Sequence, residues 1–590
     1  MAENDGRTPS QHIAVGAPPH TGTVNNSVPR TEAGLAKAKS PKTATGAANA
    51  EPKDSLREVV ETVVFVVVLV LLLKSFVAEA FVIPTGSMAE TLYGYQKLVT
   101  CPKCKWEFPV NCSFEVDPQQ GESPTPAVGC TCLNCFYHID FGTEYGPDRS
   151  KWPSWNTGDR VLVGKYFYDL DVGNLNGPSR YQVVVFKYPE KPQRDYTPLN
   201  YIKRLIGLSR ETIAIHYGKL YRHVGFNYDE QDRDVPKKDI WQEQHMHKDD
   251  PAAIQAFNEG KFENLRKPAK QVLAESRIVF DNDHQPIDLK GKTKPRWQIQ
   301  GNNVAWQPDD QEEPKVFRHA QRQDGVLAWL RYQHLVPSAE DRGRVRPELI
   351  SDLMGYNAYK KEGGDRRMLG FNWVGDLMLD CEVDVQQRQG SLIFELSKGV
   401  DRFQARFDLS TGRCTLVRLT SDGEQELDGK ETTITKTGKY HIRFANVDER
   451  LLVWVNSSLP FGEGVNYPPP RQRGPWAEND LEPARIGVKD GAVAVAHLKL
   501  WRDTYYTTNT QPADYGNEPV DFSDPRTWEP LRRLPVRTMY VQPDHFLCLG
   551  DNSPESSDGR SWGTVPRRLL LGRALMTYYP FFHGRAGRIE

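Results

Sequence analysis

The chain has 590 residues, with 75 lysines and arginines against 77 aspartates and glutamates, for a formal net charge of −2. A chain of this length exceeds the size at which a single hydrophobic core stops growing, so we expect several folded domains. The opposite charges nearly cancel and no basic block stands out, which excludes a nucleic acid as a partner held by a positively charged surface.

The first part of the chain divides into a polar tail and an apolar segment. Residues 1–55 contain no aromatic side chain and are rich in Ala, Thr, Gly, Pro, Ser and Lys. They cannot bury a core, so we predict a disordered tail. The composition inverts over residues 56–78, in which Val63–Leu73 is an unbroken run of Val, Phe and Leu. A helix of this length matches a hydrocarbon layer about 30 Å thick, which predicts one transmembrane helix.

Charged residues before the apolar segment predict its orientation. The basic residues are Lys37, Lys39, Lys42, Lys53 and Arg57. Basic residues next to a membrane span tend to stay in the cytoplasm, so we expect a cytoplasmic N-terminus and the bulk of the chain on the other side of the membrane. The alternative is a cleaved secretory signal, because Ala78–Ala80 has the small-x-small form of a cleavage site. The long leading tail favours the uncleaved anchor.

The residues after the span predict a mainly β domain, assembled from 79–221 and 511–590. Its strands follow from short β-branched and apolar runs, and those in the first part are Arg160–Val163, Gln182–Lys187 and Tyr201–Leu208. Residues 222–275 are charged and weakly patterned, which predicts a connector with one helix near 252–259.

Residues 276–510 carry many short alternating segments between turn signals, which predicts an inserted antiparallel β-sandwich. Trp373, Gly375 and Asp376 before its first clear strand, and Leu500–Tyr506 at its close, resemble a concanavalin-like or laminin-G-like domain. Such sandwiches bind glycans or proteins in some cases and act as spacers in others, and the sequence leaves both open.

Two residues suggest nucleophilic chemistry. Ser87 lies beside Gly86 just beyond the apolar segment, and a serine hydroxyl needs a nearby base to become a nucleophile. His216 and His545 are the default candidates by residue type. Lys203 lies within an apolar strand, where burial can depress the pKa of a lysine enough for it to act as a general base.

Four short motifs occur in order along the chain. They are Ile83–Met88, Gly158–Val161, Tyr201–Arg204 with Gly207 following, and Gly550–Asn552 through Arg560. Together they closely resemble the signature motifs of bacterial type I signal peptidases, a Ser/Lys protease family. The resemblance covers about 57–221 and 537–580, less than half of the chain.

The resemblance implies catalytic roles for residues in these motifs. Ser87 takes the place of the family's nucleophile and Lys203 that of its general base. Thr85 takes the place of the hydroxyl residue that forms the oxyanion hole together with the backbone N–H of Ser87. Ser556 takes the place of the serine that holds the lysine amine.

The resemblance also implies two supporting ion pairs, Asp558 with Arg560 and Asp551 with Arg204. The sequence departs from the family pattern at several turn positions, which puts local turn geometry in doubt rather than the chemistry. The departing residues are Glu90, Ser209–Glu211, Ser553 and Gly559.

The family's substrates and cofactor needs follow from the same resemblance. The implied substrates are preproteins with signal peptides, cut after a small-x-small site beside the lipid bilayer. Together with the predicted orientation, the resemblance implies a catalytic domain on the periplasmic side of the inner cell membrane. The implied reaction is acyl transfer through an acyl-enzyme, and it requires no cofactor.

Six of the nine cysteines fall within residues 99–137, which predicts a Cys-rich, zinc-ribbon-like insertion. Two CxxC pairs, Cys101 with Cys104 and Cys132 with Cys135, can supply four thiolates for a structural zinc. Disulfides remain the alternative outside the cytoplasm, since Cys112 and Cys130 are also present.

Three cysteines lie outside the Cys-rich insertion. Cys381 and Cys414 could pair within the sandwich, while Cys548 is expected to be a small buried residue.

Two other functions remain open. One rival function is a membrane-tethered protein whose sandwich binds a glycan or a protein, with the protease part as an inert scaffold. The other is a Ser/His peptidase that uses His545 or His216.

Overall fold

A computed structural model gives the structure of the protein. It describes residues 55–118, 122–165, 168, 177–189, 199–226, 228, 248–287, 290–301, 305–337, 345–364, 370–470, 472–508, 513–581 and 585–590. The chain divides into two compact units, Met1–Val66 and Val67–Glu590. The predicted disordered tail, 1–55, lies almost wholly outside the described residues.

The described chain is mainly β, with short helices between the strands. Its α-helices are Ser55–Leu72, Ser113–Val116, Phe141–Tyr145, Pro251–Asn258, Ala269–Glu275, Ala477–Asp480 and Gly559–Trp562. Short 3-10 turns occur at Arg149–Lys151, Gly355–Asn357, Pro525–Thr527, Pro530–Arg532, Ser553–Glu555 and Arg567–Leu569. The helix expected near 252–259 is confirmed at Pro251–Asn258.

The predicted transmembrane helix over 56–78 is wrong. The α-helix covers Ser55–Leu72, a π-helical turn follows at Leu73–Val77, and Ala78–Val82 is a strand. Among the described residues no helix is both long and apolar enough to cross a membrane. Two features shorten the apolar stretch: charged residues occupy the first turns, as in the Arg57–Glu61 pair, and the last predicted residue has already joined a sheet.

The motif strands assemble into one antiparallel sheet, which we call sheet A. In spatial order its strands are Ala78–Val82, Arg160–Gly164, Leu570–Tyr579, Val183–Lys187, Asn200–Gly207, His545–Leu549 and Val565–Pro566, with Gly587–Arg588 beside Leu570–Tyr579. The strand from the end of the chain therefore lies between two strands from its first half. Both faces are buried: Val183 and Val185 pack on one side, and Val184 and Phe186 on the other. Burial on both faces explains why the strand Val183–Lys187 is apolar at successive positions.

A smaller antiparallel sheet, sheet B, adjoins these strands in sequence. Its strands are, in spatial order, Glu263–Asn264, Lys219–Val224, Glu211–His216 and Arg537–Tyr540. The strand Lys219–Val224 runs across the domain boundary predicted at 221–222, and the predicted connector supplies a further strand here. After Val224 the chain returns to sheet B at Glu263 as an edge strand and again at Arg537. The strands Lys219–Val224 and Arg537–Tyr540 lie on the two sides of Glu211–His216.

Two antiparallel sheets, C and D, enclose the largest hydrophobic core in the described chain. Sheet C consists of Trp306–Pro308, Val316–His319, Val493–Arg502, Leu377–Val385, Gly438–Val447, Arg450–Val455 and Val465–Asn466, with Arg277–Asp281 beside Val493–Arg502. Sheet D consists of Trp297–Ile299, Leu327–Tyr332, Ala484–Lys489, Ser391–Lys398, Asp401–Asp408, Arg413–Thr420 and Gly423–Glu431. Cys381 lies in sheet C and Cys414 in sheet D, and both thiols are free and buried, so the pairing considered for them is not formed.

The cysteine-rich segment forms small sheets that do not stand alone. One contains Glu107–Asn111, Gln96–Thr100 and Trp155–Asn156, and the other contains Tyr359–Lys361, Ala127–Thr131 and His138–Asp140. A further two-stranded ladder joins Leu335–Pro337 to Val345–Pro347. Tyr359–Lys361 comes from within the predicted sandwich range, so residues near 355–361 belong to the surroundings of the cysteine segment instead.

Candidate active site

Ser87 lies on a tight turn that begins where the first strand of sheet A ends. The Ala89 N–H donates to the Gly86 carbonyl at 3.0 Å, and the Leu92 N–H donates to the Met88 carbonyl at 2.8 Å. Met88 and Leu92 are fully buried in the core beneath sheet A, which anchors the turn and leaves Ser87 half-buried. Gly158 packs tightly against the residues that lead into the turn, because a Cβ at this position would overlap the Ile83 carbonyl.

Lys203 lies in the strand Asn200–Gly207 and reaches the hydroxyl of Ser87. Its Nζ is 2.6 Å from Ser87 Oγ and 3.0 Å from the Ile202 carbonyl oxygen. The lysine is only 2% exposed, and the strand pairs with Val183–Lys187 on one side and with His545–Leu549 on the other. The strand therefore presents the amine to the turn in a position that water barely reaches.

Two effects shift the pKa of Lys203 in opposite directions. Burial lowers the pKa of the amine, and the nearby carboxylates of Asp558 and Asp551 raise it. Burial dominates, so the pKa of Lys203 falls from its usual value to about 8. A neutral amine is therefore accessible near physiological pH, and at this separation it can accept the Ser87 proton.

The two histidines considered as alternative bases contact backbone carbonyls. His216 Nε2 lies 3.1 Å from the Leu534 carbonyl oxygen, and His545 Nδ1 lies 2.8 Å from that of Pro543. Burial lowers the pKa of His216 to about 3, so this ring is a much weaker base than an ordinary imidazole. The hydroxyl of Ser87 is held by Lys203 instead.

The structure places the other two hydroxyls of the predicted site differently. Thr85 is exposed and lies two residues before Ser87. The expected contact between Ser556 and the lysine amine is not formed: Ser556 Oγ is buried and has no hydrogen-bond partner among the described residues. The amine uses the Ile202 carbonyl instead.

Arg204 and Asp551 form the first of the two expected ion pairs. Arg204 Nε donates to Asp551 Oδ1 at 2.8 Å and Nη2 donates to Oδ2 at 2.7 Å, with both side chains fully buried. Although burial raises the pKa of Asp551, the guanidinium lowers it further, to below its usual range. Glu275, from the predicted connector, lies 3.0 Å from the same guanidinium. A bidentate pair with a second carboxylate rigidly joins the lysine strand to the Gly-Asp-Asn turn.

Asp558 and Arg560 form the second expected pair. Arg560 donates to both carboxylate oxygens at 2.8 and 2.7 Å, and the Gly550 N–H donates to Asp558 Oδ2 at 2.9 Å. Ser553, one of the departures from the family pattern, accepts from the Thr507 N–H at 2.9 Å and also from Arg560. Ser553 therefore connects the Gly550 turn to Thr507, which follows the strand Val493–Arg502 of the inserted region.

An asparagine pair next to Ser87 was not predicted from the sequence. Asn552 Nδ2 donates to the Gly86 carbonyl oxygen at 2.9 Å, and the Asn552 N–H donates to that of Ser87 at 3.1 Å. Asn357 donates to Asn552 Oδ1 at 2.7 Å and accepts from its Nδ2 at 2.9 Å. Asn552 belongs to the Gly550–Asn552 motif, whereas Asn357 lies in the inserted region, where the sequence shows no motif.

The four predicted metal-ligand cysteines converge. Cys101 Sγ lies 3.6 Å from Cys135 Sγ, and Cys104 Sγ lies 3.5 Å from Cys132 Sγ, with all four sulfur atoms within 4.8 Å of one another. The separations are far longer than a disulfide bond of about 2.05 Å. They fit a tetrahedron of thiolates around zinc, in which a Zn–S bond of about 2.3 Å puts the sulfur atoms somewhat under 4 Å apart.

The backbone around the cysteines supports the same interpretation. The two CxxC turns repeat one pattern: a left-handed residue follows the second cysteine, and its N–H donates to the carbonyl of the first. Lys105 donates to Cys101 in this way at 3.0 Å, and Phe136 donates to Cys132 at 2.8 Å. Two matching turns that face each other can present four sulfur atoms to one ion.

Comparison with protein families supports the signal peptidase family over part of the chain. The family model described as "Signal peptidase, peptidase S26" matches residues 130–276 and 481–579. The first range contains Lys203 and Arg204, and the second contains Asp551 and the residues through Arg560. The match covers less than half of the chain and does not extend to Ser87.

Curated relatives resemble short stretches of the chain. A signal peptidase I of Pseudomonas aeruginosa is 36% identical over 74 residues, which is 11% of this chain and 24% of the relative. A signal peptidase I of Leptolyngbya laminosa is 36% identical over 74 residues, 12% of this chain and 30% of the relative. A probable signal peptidase I-2 of Synechocystis is 50% identical over 40 residues, 7% and 18% respectively. The chain thus spans about a quarter of the length of the curated relatives it matches.

Solved structures resemble the chain weakly. A carbohydrate binding module, CBM66, from Bacillus subtilis has a TM-score of 0.22 and 11% identity, and covers 35% of this chain and 96% of its own. A galectin from Caenorhabditis elegans has a TM-score of 0.17 and 12% identity, with 22% and 87% covered. TM-scores this low do not establish a shared fold.

Proposed function

We propose that the protein is a membrane-associated signal peptidase I, a serine endopeptidase that uses a Ser87–Lys203 dyad. One observation carries this proposal: the 2.6 Å contact between Lys203 Nζ and Ser87 Oγ, with the amine 2% exposed. A buried amine with a depressed pKa and a neighbouring hydroxyl form the arrangement that an activated serine needs. The signal peptidase S26 match over the lysine strand supports the same function.

The dyad provides each step of acyl transfer. Neutral Lys203 takes the proton from Ser87 as the hydroxyl oxygen attacks the scissile carbonyl carbon. The ammonium then gives that proton to the leaving amine, and an acyl-enzyme remains on Ser87. Lys203 next removes a proton from water, whose oxygen attacks the ester carbonyl carbon. The bond to Ser87 Oγ then breaks, the acid leaves, and the Lys203 ammonium returns its proton to Ser87 Oγ. The N–H of Ser87 and the hydroxyl of Thr85 are the proposed donors to the oxyanion.

The proposed substrates are preproteins that carry signal peptides, cut after a small-x-small site. The relatives named signal peptidase I and the ordered motifs support this substrate class. The proposed place of action is the outer surface of the cell membrane. A long row of exposed valine and leucine side chains along Ser55–Leu72 supports an association with lipid.

We further propose that the cysteine cluster holds a structural zinc. Four buried sulfur atoms, two matching turns and the absence of a disulfide among the described cysteines support it. The ion would join the two CxxC turns, while the residues of the dyad perform the chemistry without it.

The deciding experiment compares four full-length proteins on a purified preprotein. Ser87→Ala and Lys203→Ala should each lose at least a thousandfold in kcat/KM, because either change removes the activated nucleophile. His545→Ala is the matched control and should keep wild-type activity. Product mass must show a cut after a small-x-small site. A Lys203→Ala protein with wild-type activity would contradict the dyad, and a dead His545→Ala protein with a correct fold would favour a Ser/His peptidase.

A further inference from the structure

The 3-10 turn Gly355–Asn357 of the inserted region packs directly on the turn that carries Ser87. Tyr356 is 1% exposed, and a Cβ at Gly86 would overlap its ring. The same ring lies 5.1 Å from that of Tyr93, centroid to centroid, and its hydroxyl donates to the Tyr95 carbonyl oxygen at 3.3 Å. The inserted region is therefore part of the wall behind the proposed nucleophile.

Asn357 adds a directional contact to this packing. It exchanges two hydrogen bonds with Asn552, at 2.7 and 2.9 Å, and both asparagines are almost completely buried. The second N–H of the Asn552 amide donates to the Gly86 carbonyl oxygen at 2.9 Å. Since Asn357 occupies the amide oxygen and one amide proton, it fixes the side-chain orientation in which the other proton points at Gly86.

The direction of the Gly86 carbonyl sets the direction of the Ser87 N–H. In a planar trans peptide, the carbonyl of one residue and the N–H of the next point in opposite directions. The peptide that joins Gly86 to Ser87 is trans. A fixed Gly86 carbonyl therefore fixes the direction of the Ser87 N–H, which is the backbone donor of the proposed oxyanion hole.

We infer that Asn357 is a positioning residue, through which the inserted region orients the Ser87 N–H toward the oxyanion by way of Asn552 and the Gly86 carbonyl. This inference rests on the proposed function for its catalytic meaning. An oxyanion donor acts only on the transition state, so its misalignment lowers kcat and leaves KM nearly unchanged.

The kinetic test uses full-length Asn357→Ala and the isosteric Asn357→Asp, which keeps the shape and loses the donor to Asn552 Oδ1. Both should lower kcat on a preprotein by about 10- to 100-fold, with KM within about threefold, since small misplacement of a reacting group costs up to about a hundredfold. Asn357→Ala combined with Asn552→Ala should cost no more than Asn552→Ala alone, because both act through one contact.

Asn446→Ala is the matched control. Asn446 is also a fully buried asparagine of the inserted region, in sheet C, and its side chain accepts a hydrogen bond from the hydroxyl of Tyr467. Its replacement should lower the unfolding temperature and leave the kcat of the folded protein unchanged. Equal losses of kcat in the Asn357→Ala and Asn446→Ala proteins would reduce Asn357 to a purely structural role and overturn the inference.

Hydrogen exchange gives a readout that needs no peptidase activity. In Asn357→Ala, the backbone amides of residues 85–90 should exchange faster than in the wild-type and Asn446→Ala proteins. Unchanged exchange together with unchanged kcat would overturn the inference and leave the Ser87–Lys203 proposal intact. A wild-type protein that cuts no preprotein would sink the proposed function, and the exchange rates would still decide whether Asn357 holds the turn.

Discussion

The pKa of Lys203 is set by a balance between burial and two carboxylates. Asp551 and Asp558 would keep the amine charged, but each is itself paired with an arginine, Arg204 or Arg560. Each arginine neutralises the field of its partner, so burial prevails and the pKa of Lys203 falls to about 8. The two buried ion pairs thus serve the chemistry as well as the fold.

This balance predicts the pH profile of the reaction. Because only the neutral amine accepts a proton, kcat/KM on a preprotein should rise about tenfold per pH unit below 8 and level off above it. Initial rates between pH 5.5 and 9.5 measure it. Asp558→Asn should move the midpoint to lower pH, because it removes a carboxylate that raises the pKa of Lys203. A profile that levels off near pH 6.5 would instead indicate a histidine base.

Single residues were predictable where short motifs carry them. Ser87, Lys203 and both ion pairs each lie within a few residues of a motif, so their order in the sequence sufficed to group them. The expected contact of Ser556 is not formed, and the amine donates to the backbone carbonyl of Ile202, a partner that no residue type reveals. Asn357 could not be found, since no local pattern indicates which of many asparagines meets Asn552.

At the scale of elements, the turn that begins at Gly550 packs against the turn of Ser87. A Cβ at Gly550 would lie 2.5 Å from the Ser87 carbonyl oxygen and would also overlap the Ser556 hydroxyl. A contact this short with the backbone has to be relieved by moving one of the two turns. The glycine is therefore required by the close approach of two elements.

Gly550→Ala should consequently lower kcat/KM by at least a hundredfold, because displacement of the Ser87 turn separates the hydroxyl from Lys203. It should also destabilise the protein by about 1–3 kcal/mol through overpacking. Preprotein cleavage and thermal unfolding measure the two effects. Gly177→Ala is the control, since nothing lies within 4 Å of a Cβ there, and both quantities should stay at wild-type values. Wild-type activity in Gly550→Ala would contradict the observed packing.

Elements were predictable where hydrophobic patterning is strong. The strands expected at Arg160–Val163, Gln182–Lys187 and Tyr201–Leu208 are confirmed within one residue. The helix over 56–78 was wrong at its end, because an apolar run does not distinguish a helix from the strand Ala78–Val82 that pairs with Arg160–Gly164. Tertiary pairing, which the sequence does not display, decides that boundary.

At the scale of the molecule, buried ion pairs link the sandwich strands to their neighbours. Lys267 Nζ lies 2.7 Å from Asp503 and 3.2 Å from Asp448, and Lys219 lies 3.6 Å from Asp376. The sequence predicted an inserted sandwich from strand patterning, but it could not predict these charges, because their partners lie far apart in the chain. Removing one partner of a buried ion pair leaves an uncompensated charge. These contacts therefore disfavour any other arrangement of the sandwich strands and their neighbours.

The cysteine cluster makes a prediction at this scale. The purified full-length protein should hold one zinc ion, and Cys101→Ser combined with Cys104→Ser should lose it and unfold at lower temperature. Elemental analysis and thermal unfolding measure the two effects. Cys414→Ser, in sheet D, should keep the zinc. All nine cysteines should react with a thiol reagent after denaturation without reductant. Four fewer reactive thiols would instead indicate two disulfides.

The strand order of sheet A has a consequence for synthesis on the ribosome. Leu570–Tyr579 lies between Arg160–Gly164 and Val183–Lys187, so the two earlier strands have no common neighbour until it emerges. Translation is vectorial, and at about 5–20 residues per second the interval between the two halves lasts tens of seconds. A nascent chain therefore carries Ser87 and Lys203 without a completed sheet to align them. If the proposed function holds, no cleavage is expected from the nascent chain before the strand Leu570–Tyr579 is made.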